Sequence, residues 1–94
     1  MKRNAKIIKT INRKEAINNS NFVICALEKN RNVYWSQDFH IPRKYGFKQV
    51  YGENGGVGSL FHALRNIKLI VDLAKDMEKL CPKSILLNFS NPEH

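Results

Sequence analysis

Four of the five glycines lie in one short segment, GENGGVG at residues 52–58, directly before a helical pattern. Free backbone N–H groups at the start of a helix suit an anion or a polarised hydroxyl. The dinucleotide-binding fingerprint also needs a preceding strand and a third glycine, but that position holds Phe61, and the Gly-Lys-Ser/Thr of a P-loop is absent. The segment alone therefore predicts a tight turn and a helix start, and it leaves the residues of any cofactor site unknown.

The histidines and cysteines do not have the spacing of metal ligands. His40, His62 and His94 show no ligand spacing among them, and Cys25 and Cys81 form no CxxC pair. We expect surface or helix-face positions for the histidines. For the cysteines we expect reduced, buried thiols of a cytoplasmic protein. No metal site is predicted in this chain.

Periodicity predicts the elements that must position any site. Residues 21–28 and 84–89 are apolar runs typical of parallel strands covered on both faces, and residues 5–10 form a weaker strand pattern. Asn12 is predicted to cap a short helix through about Asn18. Residues 28–49 show no clean period. A long helix is predicted at about 59–80, ended by Pro82, from apolar residues at three- and four-residue steps: Leu60, Leu64, Ile67, Val71, Ala74 and Met77.

These elements predict an α/β fold, a partial Rossmann-like unit in which strand, helical connection and strand form a right-handed parallel crossover. The 94 residues are enough for one domain at most, and we interpret residues 1–94 as a single partial domain. A parallel pair covered on one side leaves apolar surface and unpaired edges. The unit is therefore expected to need more chain or a partner.

The formal net charge of +8 attracts anions, including phosphorylated sugars and nucleic acid. An alternative function is a small basic nucleic-acid-binding module with Tyr34, Trp35, Tyr45 and Tyr51 as stacking groups. We disfavour it because no known binding motif is present and the basic residues are scattered. No membrane contact is expected, since no stretch approaches the roughly 20 apolar residues of a membrane helix.

Five motifs occur in order: IPRKYG at 41–46, ENGGVGS at 53–59, LRNI at 64–67, DMEKLCP at 76–82 and LNFSNP at 87–92. Their order and spacing resemble glycoside hydrolase family 4, which contains NAD- and manganese-dependent α-glucosidases, α-galactosidases and 6-phospho-glucosidases. Val57 and Ser59 depart from the proline and glycine of the family's turn. Trp35 stands where phosphoglucosidase members have a substrate-contacting arginine, so the resemblance favours unphosphorylated α-glycosides.

The resemblance implies hydrolysis of O-glycosyl bonds by redox elimination: NAD takes hydride from the sugar, a base removes the acidified proton, and the bond is eliminated. It implies that Asn91 binds substrate hydroxyls and that Glu53 supports a tyrosine base. In the family the metal ligands and that tyrosine follow the Asn-Pro, and the phosphate-binding glycines precede this segment. We therefore expect an internal fragment that is inactive alone and binds neither NAD nor manganese, from a cytoplasmic, homo-oligomeric enzyme of carbohydrate metabolism.

Overall fold

The computed structural model describes residues 4–52 and 54–91. In this part of the chain the elements are, in order, helix α1 (Arg13–Ile17), strand β1 (Phe22–Cys25), helix α2 (Arg31–Lys44), helix α3 (Gly56–Leu80) and strand β2 (Ile85–Asn88). The predicted α/β class is confirmed. Along the chain, α2 and α3 connect β1 to β2, and these two strands pair in parallel.

The short helix α1 begins where its capping residue predicted. The Asn12 side chain accepts hydrogen bonds from the backbone N–H groups of Lys14 and Glu15. Thr10 completes the cap, since its hydroxyl oxygen accepts from the Asn12 N–H at 3.0 Å. The first four backbone N–H groups of a helix have no acceptor within the helix and need such partners. The cap therefore determines where the five-residue helix α1 begins.

The sheet and the C-terminal half of α3 form the hydrophobic core. Val23 lies opposite Leu86 in the parallel register. Alternate residues of β1 point inward, toward buried side chains of α1, α3 and the segment that follows α3. The buried apolar residues of this core are Ile17, Val23, Cys25, Leu73, Met77 and Cys81.

The strand predicted at residues 5–10 does not form. Residues 4–10 have no regular secondary structure, and Ile7 and Ile8 are largely exposed. A weak alternating pattern becomes a strand only when its backbone finds a pairing partner. In the described part of the chain the sheet contains β1 and β2 alone.

Two helices show what periodicity did not indicate. Helix α2 forms within residues 28–49, where the sequence shows no clean period. On α3 the apolar stripe is exposed along the N-terminal half, with Leu60, Leu64 and Ile67 each more than half accessible. The N-terminal half of α3 packs on α2 through Gly58, His62 and Arg65, which all approach Asp38, because close backbone approach and polar contacts decide that interface.

The outer face of the sheet is uncovered. Its exposed apolar side chains are Phe22, Ile24, Ile85, Leu87 and Phe89. Parallel strands are normally buried on both faces, so the prediction that this unit exposes apolar surface is confirmed. Among the described helices, none has both the length and the apolar character needed to cross a membrane.

Candidate substrate-binding cleft

A cleft lies at the carboxyl ends of the two strands. Parallel α/β units bind ligands in the crevice outside these ends. The volume of the cleft is about 200 Å³. Its polar lining comes from the loop after β1, from α2, from α3 and from the turn after β2: Glu28, Arg31, His62, Ser90 and Asn91.

Asn91, the predicted substrate-binding residue, lies at this cleft, three residues beyond β2, and is exposed. Its main-chain carbonyl oxygen lies 3.1 Å from the His62 Nε2 atom. The same oxygen accepts a hydrogen bond from the Asn66 side-chain amide at 3.3 Å. The backbone of Asn91 is thus held from the protein interior while the residue itself faces solvent.

The turn before Asn91 is tied to the end of β1. The buried Ser90 hydroxyl accepts a hydrogen bond from the Leu27 N–H at 2.7 Å. The Asn88 side chain accepts from the Ser90 N–H at 3.0 Å and donates to the Ser90 carbonyl at 3.1 Å. An asparagine side chain that bonds backbone groups two residues further along the chain stabilises a turn. This turn fixes the direction of the backbone between the end of β2 and Asn91.

His62 occupies the floor of the cleft, and only 3% of it is accessible. Its Nδ1 atom lies 3.9 Å from a Glu28 carboxylate oxygen and 3.8 Å from an Asp38 carboxylate oxygen. Its Nε2 atom lies 2.8 Å from the side-chain nitrogen of Asn66. His62 thus lies on a helix face, one of the two positions expected for the histidines, and this face is buried.

Asp38 is the buried anchor between α2 and α3, and is 6% accessible. Both of its carboxylate oxygens accept hydrogen bonds from the Arg65 guanidinium, and such bidentate pairs fix geometry as well as charge. The Arg65 guanidinium also lies over the Tyr34 ring, 4.9 Å from its centroid. Asp38 and His62 therefore keep a defined separation.

The Gly-rich segment makes the tight turn and the helix start that its sequence predicts. Gly55 and Gly56 have φ values of 65° and 80°, a left-handed region that favours glycine, and α3 begins at Gly56. Glu53, the predicted supporting acid, lies outside the described residues, so its role stays a prediction.

Sequence reasoning missed His62, Asn66 and Asp38 as site residues. A signal was present for two of them: Gly58, His62 and Asn66 recur every four residues, which places them on one face of a helix. The residues of that face are small or polar, so a search for apolar residues at helical spacing does not detect it. Asp38 offered no such signal, because α2 shows no clean period.

The described residues do not form a metal site. Among residues 4–52 and 54–91, no group of three or more His, Cys, Asp or Glu side chains is arranged to hold an ion. Cys25 and Cys81 are free and buried in the core. The dinucleotide fingerprint is likewise incomplete at Phe61.

Parallel strands joined through helices, with a polar cleft at their carboxyl ends, define a Rossmann-like α/β unit. A model of the family 4 glycosyl hydrolases matches residues 1–94. The chain therefore belongs to glycoside hydrolase family 4.

Several curated relatives are similar to this chain. An alpha-glucosidase from Erwinia rhapontici is 45% identical over 84 residues, which are 88% of this chain and 18% of that protein. An alpha-galactosidase from Bacillus subtilis (strain 168) is 40% identical over 85% of this chain and 19% of its own length. A 6-phospho-beta-glucosidase from Escherichia coli (strain K12) is 38% identical over 93% of this chain and 19% of its own length. The chain thus spans less than a fifth of these relatives.

Proposed function

We propose that this chain is part of a glycosidase that hydrolyses O-glycosyl bonds, and that the substrates of the complete protein are α-glycosides. The family 4 match over residues 1–94 and the 45% identity to an alpha-glucosidase support this. Trp35 replaces the arginine that contacts substrate in phosphoglucosidase members, which favours an unphosphorylated sugar. Family membership favours this function over nucleic-acid binding.

We assign sugar binding to Asn91. One observation carries the assignment: two buried side chains, His62 and Asn66, hold the backbone of this residue at the rim of a polar cleft. A side-chain amide donates and accepts at once, which suits two neighbouring hydroxyls of a sugar. An amide on a fixed backbone also loses less conformational freedom on binding.

NAD and manganese are proposed as cofactors of the complete protein on the resemblance alone, as is the supporting role of Glu53. The contribution assigned to this chain, the orientation of the sugar, depends on neither group. We also propose a cytoplasmic location, because Cys25 and Cys81 are buried, free thiols. On the resemblance alone, we also propose that the complete protein is a homo-oligomer.

A chimera tests the proposal. The part of the Erwinia rhapontici alpha-glucosidase that matches this chain is replaced by this chain, and hydrolysis of p-nitrophenyl α-glucoside is measured with NAD and Mn²⁺. We expect activity. We expect Asn91→Ala to lower kcat/KM about 100-fold, because two hydrogen bonds of about 1.4 kcal/mol each are lost. Asn32→Ala, on the exposed surface of α2, is the matched control.

Two results with the chimera would contradict the proposal. A folded chimera without α-glucoside hydrolysis would show that this segment does not support the reaction. An Asn91→Ala chimera as fast as its parent would remove the sugar contact. The 94-residue chain alone is expected to give no hydrolysis, and a measurable rate would overturn the assignment of this chain as a fragment.

A further inference from the structure

We infer that His62 is a positioning residue for Asn91: its buried ring fixes the main-chain carbonyl of Asn91 and thereby the direction in which the Asn91 side chain enters the cleft. The relevance to catalysis rests on the proposed function, since direction matters only if Asn91 contacts the sugar. The positioning itself is a property of this chain and can be measured without substrate.

The geometry is a triangle of polar atoms under the cleft. The His62 Nε2 atom lies 3.1 Å from the Asn91 carbonyl oxygen and 2.8 Å from the Asn66 side-chain nitrogen. Asn66 closes the triangle with its own bond to that carbonyl at 3.3 Å. His62 and Asn66 lie one helical turn apart on α3, and each is only 3% accessible. A carbonyl oxygen has two lone pairs and can accept from both.

Two hydrogen placements each account for two of the three sides of this triangle, and His62 is used in both. With hydrogen on Nε2, the ring and the Asn66 amide both donate to the Asn91 carbonyl. With hydrogen on Nδ1, the Nε2 atom accepts from the Asn66 amide, and Asn66 donates its second hydrogen to Asn91. Removing the ring therefore removes one of the two bonds to Asn91 in the first case, and in the second it removes the acceptor that orients the Asn66 amide.

The ring also faces carboxylates of the loop after β1 and of α2. On its far side, the nearest carboxylate oxygens of Glu28 and Asp38 lie 3.9 and 3.8 Å from Nδ1, beyond hydrogen-bond range but close enough to act through charge. Arg65 fixes Asp38 in a bidentate pair. The contacts thus run from α2 through α3 to the turn after β2. The apolar core takes no part in them.

The test compares His62→Leu with His62→Gln in the 94-residue chain by ¹⁵N relaxation. The Gln side chain places an amide nitrogen as many bonds from the backbone as the Nε2 atom of histidine. We expect the order parameter of the Asn91 backbone amide to be about 0.85 in the parent and to fall below about 0.6 in the Leu variant. The Gln variant should restore it. His40→Leu, at an exposed position of α2, should leave it unchanged.

The parent chain supplies a second measurement that needs no variant. A long-range ¹H–¹⁵N spectrum of its imidazoles should show His62 in one tautomer, with a ring N–H protected from exchange. Equal order of Asn91 in the parent and the Leu variant, or an averaged and unprotected His62 ring in the parent, would overturn the inference.

The chimera separates this inference from the proposed function, because it contains the rest of the sugar site. An ordered Asn91 in the parent chain, together with an Asn91→Ala chimera as fast as its parent, would leave the positioning established and the sugar assignment refuted. Equal order of Asn91 in the parent and the Leu variant, together with a slow Asn91→Ala chimera, would refute the positioning and support the sugar contact.

Discussion

Gly58→Ala is predicted to be one of the most damaging small changes in this chain. Gly58 lies where α3 crosses α2, and a Cβ atom there would fall inside the contact distance of the Asp38 carbonyl oxygen. It would also lie 2.8 Å from the Gln49 side-chain nitrogen and 3.0 Å from the Asp38 carbonyl carbon. Two of these three atoms are backbone atoms of α2, so a side-chain rotation cannot relieve the overlap.

The magnitude follows from three contributions. Inserting a methyl group into a filled contact costs about 1–3 kcal/mol, and the backbone neighbours place Gly58→Ala at the upper end. Gln49 bridges the helices, accepting from the Gly58 N–H and donating to the Asp38 carbonyl, and losing one such bond costs about 1 kcal/mol. Replacing glycine within a helix returns at most about 1 kcal/mol. We expect a net loss of about 2–3 kcal/mol.

The assay is urea unfolding at 25 °C followed by far-ultraviolet circular dichroism, at two protein concentrations so that association is separated from folding. A loss of 2–3 kcal/mol corresponds to a fall in Tm of about 10–20 °C for a domain of this size. Gly52→Ala is the graded control. Its Cβ atom would lie 3.1 Å from the Trp35 carbonyl oxygen and 3.3 Å from the Asp38 Cβ atom, so about 1 kcal/mol or less is expected.

The reasoning is refuted if Gly58→Ala unfolds within about 0.5 kcal/mol of the parent, the usual range for surface changes. A stabilised variant would refute it more strongly, because helix propensity would then outweigh the contact. An equal loss for Gly52→Ala and Gly58→Ala would show that the close approach of α2 and α3 does not set the cost.

Three further predictions concern other parts of the chain. Asn12→Ala should cost about 1 kcal/mol in urea unfolding, because α1 loses the side-chain oxygen that accepts two backbone N–H groups. Ile24→Thr combined with Leu87→Thr should reduce self-association in sedimentation velocity without loss of helical signal, since both side chains lie on the uncovered face of the sheet. The hydrogen bond from Lys68, at 3.0 Å, lowers the pKa of Asp72 below 3.8. The resulting stabilisation is present above pH 3.8 and lost as the pH falls through the lowered pKa, so Lys68→Met should raise that pKa toward 3.8 in an NMR titration.

The sequence alone was sufficient to predict the elements that depend on a few neighbouring residues. The Asn12 cap, the turn at Gly55 and Gly56 and the two apolar strand patterns each depend on a few neighbouring residues. The position of Asn91 at the cleft also follows, because the carboxyl ends of parallel strands share one edge. The family resemblance, not periodicity, supplied the reason to look at Asn91.

What the sequence could not supply depends on contacts between distant elements. The burial of Asp38 results from its pairing with Arg65, 27 residues away. The floor position of His62 results from the packing of α3 on α2, which apolar periodicity did not indicate. Leu64 is 61% exposed, whereas His62, two residues earlier, is 3% exposed.

The two faces of the N-terminal half of α3 therefore have different structural roles. The buried face, with Gly58, His62 and Asn66, joins α2 to the turn that holds Asn91. The opposite face, with Leu60 and Leu64, is apolar and exposed and does not line the cleft, so we expect it to take part in association. Polar substitutions on the exposed face should change the oligomeric state and leave Asn91 ordered. Substitutions on the buried face should disorder Asn91 even where the apolar core around β1 stays intact.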